Sequence, residues 1–180
     1  MKSVITVIRM FALVAGAWFL QGCLGSSQKQ TTLIPKDYIG KVAILYNQKD
    51  GQKEEHLNDR RIYRIPNCGI LKTQFTLREH LSWALHEIDS DVVFIRIDNM
   101  GNPVDTLLRW PWQSNSDSEN DFFLRNPNRV GIIDWGFCGF SFGDTENYKD
   151  VEFFIVDSFK NASKYSHPPE FEKTELNKCK

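Results

Sequence analysis

Short runs of β-branched and aromatic residues recur along this 180-residue chain, each cut off by a cluster of Gly, Pro, Asn or Asp. That spacing constrains the fold more than any other feature. Runs of four to eight such residues between turn signals read as strands, and several in succession read as a sandwich or barrel. Lys41 to Tyr46 (KVAILY) is the first, followed by a turn at Lys49-Asp50-Gly51. Lys53 to Asp59 is too charged for a core. Arg60 to Ile65, a turn at Pro66-Asn67-Cys68-Gly69, and Ile70 to Phe75 together read as a β-hairpin. Val92 to Ile97, Val104 to Trp110, Val130 to Phe142 and Val151 to Val156 complete about seven strands. Within Val130 to Phe142 the aromatic phase slips, which points to a β-bulge near Gly139. No internal repeat is evident.

One segment has a different period. Leu77, Leu81, Ala84, Leu85 and Ile88 recur at helical spacing, and Thr76 with Glu79 forms a capping-box pattern. A short amphipathic helix over Thr76 to Ile88 is expected. The fold class is therefore mostly β: a single sandwich-like domain with one short helix.

The N-terminal residues carry a separate message. Lys2 precedes an apolar run from Met10 to Leu20, and Leu20-Gln21-Gly22-Cys23 closes it. A membrane-spanning helix needs about 20 apolar residues. Val4 to Leu20 is shorter and contains Arg9. A basic start, a short apolar stretch and a small residue before the cut describe a signal peptide. The closing tetrapeptide resembles the lipobox of bacterial lipoproteins. That resemblance implies cleavage before Cys23 and lipidation of its thiol, and so a membrane partner reached through the lipid. Leu24 in place of an aspartate implies the outer membrane if the host has one. The expected organisation is a signal peptide at 1–22, a flexible Ser/Gln-rich tether at 23–32, a β-rich domain at 33–159 and a polar C-terminal tail at 160–180.

Charge excludes one class of partner. Lys and Arg total 22 against 23 acidic residues, a net charge of −1. A nucleic-acid binder should show a basic stripe, so none is expected here. If Cys23 is lipidated, Cys68, Cys138 and Cys179 remain. They allow three single pairings, between which the sequence does not choose.

Motifs for catalysis are missing. His80 and His86 are six residues apart and diverge on a helix, whereas a helical zinc site uses a four-residue spacing. His80 and Glu87 share a face, but two residues do not make a site. No Gly-x-Ser-x-Gly occurs, and Cys138 has no neighbouring histidine in Trp-Gly-Phe-Cys-Gly-Phe. Asp98 to Asp105 lacks the order of a calcium loop. No metal or cofactor is expected. The suggestive residues are Trp110, Trp112 and Trp135, which either fill the core or form a platform for a glycan or an envelope protein.

Two further stretches carry a resemblance. Ile34-Pro35-Lys36-Asp37-Tyr38-Ile39-Gly40-Lys41-Val42 and Arg64-Ile65-Pro66-Asn67-Cys68-Gly69-Ile70-Leu71, with a late Phe153-Phe154-Ile155-Val156, resemble an uncharacterised domain family of bacterial lipoproteins. The resemblance implies an envelope β-domain and transfers no catalytic residue. The expected function is a lipid-anchored, non-enzymatic binding or structural module. The alternatives are an envelope hydrolase or metal-dependent enzyme using His80, Glu87 or Cys138, and a carbohydrate-binding module using the tryptophans.

Overall fold

The computed structural model describes residues 29–77, 92–110, 122–138, 150–165, 171 and 179, with the side chains of 134–138 excepted. The expected helix beyond Leu77 lies outside them. Within them are nine strands: β1 (Lys29–Pro35), β2 (Gly40–Leu45), β3 (His56–Leu57), β4 (Arg60–Arg64), β5 (Ile70–Lys72), β6 (Val92–Ile97), β7 (Pro103–Leu107), β8 (Val130–Cys138) and β9 (Val151–Ser158). They form a five-stranded sheet, β3-β4-β1-β6-β7, and a four-stranded sheet, β5-β2-β9-β8. The mostly-β, sandwich-like architecture expected from the spacing is the one observed.

Alternation along each strand builds the core. Ile34, Val42, Ile44, Tyr46, Tyr63, Ile65, Leu71, Phe94, Leu107, Ile132, Phe154 and Val156 come from both sheets and meet in one buried cluster. The opposite phase of the four-stranded sheet is also apolar. Ala43, Leu45, Ile70 and Val151 cluster there, with Phe171 and Cys179 packed against them. With both of its faces covered, β9 is buried at all eight positions. That is why VEFFIV reads as a continuous run rather than an alternating one.

Several boundaries differ from expectation. The segment read as tether ends in β1, which lies at the centre of the five-stranded sheet and is parallel to both β4 and β6. Its polar residues concealed it: Gln30 and Thr32 are fully buried. The tail read as loose contributes a 3-10 segment, Phe159–Lys164, and a cysteine tied back to the domain. Cys68 and Cys179 form a disulfide across 111 residues with their Cα atoms 5.9 Å apart. The register irregularity in β8 falls between Ile133 and Gly136. Gly139, where the bulge was expected, is outside the described residues.

The expected hairpin of Arg60 to Phe75 does not form. β4 and β5 lie in different sheets, and the Pro66–Gly69 turn carries the chain from one to the other. The segment from β1 to β2 makes the same crossing. β1 lies parallel to β4 and β2 parallel to β5, so the two crossovers stand side by side. Each contains Ile-Pro and ends on a glycine with positive φ: 143° at Gly40 and 80° at Gly69. Ala43 N donates to Gly69 O, and Ile65 N to Leu33 O, which joins the crossovers. A tight turn encodes the reversal but not which strand will be the neighbour, and here β4 and β5 take β1 and β2, strands far back in the sequence, as neighbours.

Candidate functional site

The inward rows change character along the strands. On β9 the sequence Glu152, Phe154, Val156 points inward; on β1 it is Gln30, Thr32, Ile34. At one end of the interior the core is therefore polar. Gln30, Thr32 and Glu152 are fully buried there, beside Tyr46 and Tyr63.

Glu152 organises this end. Its Oε2 accepts the Tyr46 hydroxyl at 2.5 Å. The Gln30 amide donates to both carboxylate oxygens, at 3.1 and 3.2 Å, and to Thr32 Oγ1 at 3.1 Å. Gln30 belongs to one sheet and Glu152 to the other, so the bonds between these two span the sandwich, while Tyr46, just past the end of β2, holds Glu152 from its own side. Burial first, and then the Glu152 carboxylate, push the Tyr46 phenol well above its ordinary range. Burial likewise raises Tyr63.

Around this centre lies an aromatic and cationic shell. Tyr63 meets Tyr46 edge-on with ring centroids 6.0 Å apart and packs against Phe75 at 5.2 Å. The Arg61 guanidinium sits 4.9 Å over the Phe75 ring and donates to the Thr76 carbonyl at 2.6 Å. Arg61 and Tyr46 stand close enough to the Tyr63 hydroxyl to influence its ionisation. Neither meets hydrogen-bond geometry with it, and Tyr63 Oη, Arg61 Nε and Gln30 Oε1 are buried without a partner. The arrangement bonds one sheet to the other at this end of the core. Its carboxylate is fully buried and accepts from Gln30 and Tyr46.

The residues singled out from the sequence are not gathered at this centre. Trp110 is half-buried at the other end of the core, its ring 5.0 Å from Phe123 and 5.5 Å from Phe159. Its backbone N donates to Ile132 O, where the chain beyond β7 meets β8. Trp135 and Cys138 lie on β8, but their side chains are outside the described residues. So are Cys23, His80, His86, Glu87 and Trp112 as a whole. Among the described residues there is no group of three or more His, Cys, Asp and Glu that could hold a metal. Among them, too, no helix is long and apolar enough to cross a membrane.

Sequence reasoning missed Gln30 and Glu152. The signal for Glu152 was present: it shares the phase of Phe154 and Val156, so a carboxylate in the core was implied. Gln30 gave no signal, because its segment is polar and lies next to the Ser/Gln-rich stretch.

Residues 26–87, about a third of the chain, match a family of unknown function designated DUF6843. Both Ile-Pro motifs fall inside that match, and the late Phe-Phe strand falls outside it. The crystal structure of a candidate lipoprotein from Bacillus anthracis is similar, with a TM-score of 0.45 at 11% identity. It covers 82% of this chain and 85% of that one. No curated protein matches the chain.

The glycine of the second Ile-Pro motif, Gly69, has a structural explanation. A Cβ on Gly69 would stand 1.9 Å from the Tyr38 hydroxyl and 2.5 Å from the Lys41 carbonyl oxygen. Tyr38 donates to that same carbonyl, and burial pushes its phenol up to about 12. The Tyr and the two Gly positions of the motifs thus lock the paired crossovers together.

Proposed function

We propose that this chain is a lipid-anchored protein of the bacterial cell envelope whose β-domain serves as a binding or structural module. The observation that carries the reading is Leu20-Gln21-Gly22-Cys23 after a short apolar run. A disulfide between Cys68 and Cys179 suits an oxidising compartment outside the cytoplasm. The buried carboxylate, hydrogen-bonded to Gln30 across the sandwich, favours a scaffold over an enzyme. In a host with two membranes, Leu24 after the lipidated cysteine favours the outer one.

The anchor is effectively permanent on this reading. Each buried methylene contributes about 0.8 kcal/mol, so two acyl chains give on the order of 20 kcal/mol. Cys23→Ala should move the protein from the detergent phase to the aqueous phase in a Triton X-114 partition. A wild-type protein already in the aqueous phase would rule the anchor out.

A further inference from the structure

We infer that the corner of the five-stranded sheet formed by Lys29, Leu57 and Arg60 rests against the lipid headgroup layer, an inference that depends on the anchor at Cys23 proposed above. The chain needs six residue steps from Cys23 to Lys29, the first residue of β1. Fully extended, six residues span at most about 22 Å. Because β1 begins four residues before the domain was expected to begin, the leash is correspondingly shorter than the sequence implied.

Register then says what lies beside Lys29. It pairs with Arg60 on β4, and Arg60 pairs with Leu57 on β3. Directly paired residues share a face, and neighbouring strands are about 4.8 Å apart, so Leu57 stands within about 10 Å of Lys29. All three lie on the phase opposite to Gln30, Thr32 and Ile34, away from the core. Leu57 is 62% exposed and is followed by a two-residue turn, Asn58-Asp59, with positive φ at both positions. The turn projects beyond the start of β1. Arg60 Nε donates to Thr31 Oγ1 at 2.7 Å, which holds this corner to the tethered strand.

The opposite end of the sheet is a natural contrast. β1 and β6 run parallel, so the β6–β7 turn carrying Met100 lies about 20 Å farther along the strand direction. Met100 is 83% exposed. Asp50 and Asp59 share the Lys29 end with the basic residues, so the corner is not a cationic patch. Reach and the apolar side chain carry the contact, and a neutral bilayer is sufficient for it.

The test uses the full, lipidated chain in phosphatidylcholine vesicles. Leu57→Cys and Met100→Cys, each with Cys138→Ser, are labelled with the fluorophore NBD, and some vesicles carry brominated acyl chains. The label at 57 should shift to the blue and be quenched by bromine, and the label at 100 should do neither. Equal behaviour of the two labels on protein that floats with the vesicles would overturn the orientation and leave the anchor intact. Protein that fails to float would remove the anchor and the orientation with it. Hydrogen exchange of the chain without substitutions reads the same contact. Amides 56–60 should be slowed on vesicles relative to Cys23→Ala in solution, with 98–102 unchanged; equal rates at both ends would count against the proposal.

Discussion

At the scale of single residues, two positions bear more than their share. Gly69 has φ of 80° and no room for a Cβ beneath Tyr38. Gly69→Ala should destabilise the domain by about 2–3 kcal/mol, from backbone strain and displacement of the Tyr38 hydroxyl. Urea unfolding measures this, and a midpoint equal to wild type would contradict the packing described. Tyr46 is the second position. Tyr46→Phe removes a donor from a fully buried carboxylate and should cost about 1–3 kcal/mol. Replacing Glu152 by Gln in the same protein should soften that loss, because the amide carries less charge to strand. A double-mutant cycle gives the coupling; a value near zero would mean that the 2.5 Å contact contributes nothing. Gly69 was legible in the sequence as a Pro-x-x-Gly turn. The Gln30–Glu152 bond was not, since the two residues are 122 positions apart.

At the scale of elements, the four-stranded sheet depends on the C-terminal segment. Phe171 and Cys179 pack on its outer cluster, Lys41 sits 5.7 Å over the Phe171 ring, and the disulfide closes a loop that holds most of the domain. A bridge of that span constrains the unfolded chain strongly, and loss of a native bridge of this kind typically costs 2–5 kcal/mol. Cys179→Ser should therefore lower the thermal midpoint and speed proteolysis after Tyr165. An unchanged midpoint under non-reducing conditions would mean that the bond does not form in the protein. The tail looked disposable because polar residues surround its two anchoring side chains. β1 was hidden in the same way. Periodicity finds an element when solvent is on one side of it, and a central strand with buried glutamine and threonine gives no such contrast. β2, β6 and β9 were legible because each carries a run of apolar residues, VAIL, VVFI and FFIV.

For the whole molecule, the raised tyrosines predict a loss of stability at alkaline pH. Tyr38 and Tyr165 are pushed up to about 12 by burial, the latter also by Asp157, and Tyr46 and Tyr63 are raised as well. A phenol with a raised pKa in the folded state contributes stability that is fully present below its unfolded value near 10. That contribution is lost as pH rises from there through the folded value. These four should ionise only well above pH 10, in step with cooperative unfolding, rather than one by one. Absorbance at 295 nm against circular dichroism checks this; with five tyrosines in the chain, tyrosinate formation near pH 10 by more than one of them with the fold intact would refute it. Asp105 and Asp157 act at the other limit. Hydrogen bonds from Arg96 hold Asp105 low. Burial alone would raise Asp157, but donors from Tyr165, Asn161 and Ser158 outweigh it. Their stabilisation is present above the unfolded carboxylate range and is lost as pH falls through their lowered values.

The sequence by itself determined the class of fold, the positions of most strands, the turn at Pro66–Gly69 and the motif at Cys23. Each is local, written in hydrophobic period, turn chemistry or a short motif. Only the tertiary structure decided that β1 is a central strand, that β4 and β5 part company, that Cys68 chooses Cys179, and that a glutamate closes the core. All of these are pairings between residues far apart in the chain. Strand pairing and buried polar bonding depend on which partner satisfies a group once water is gone, and no local pattern names that partner.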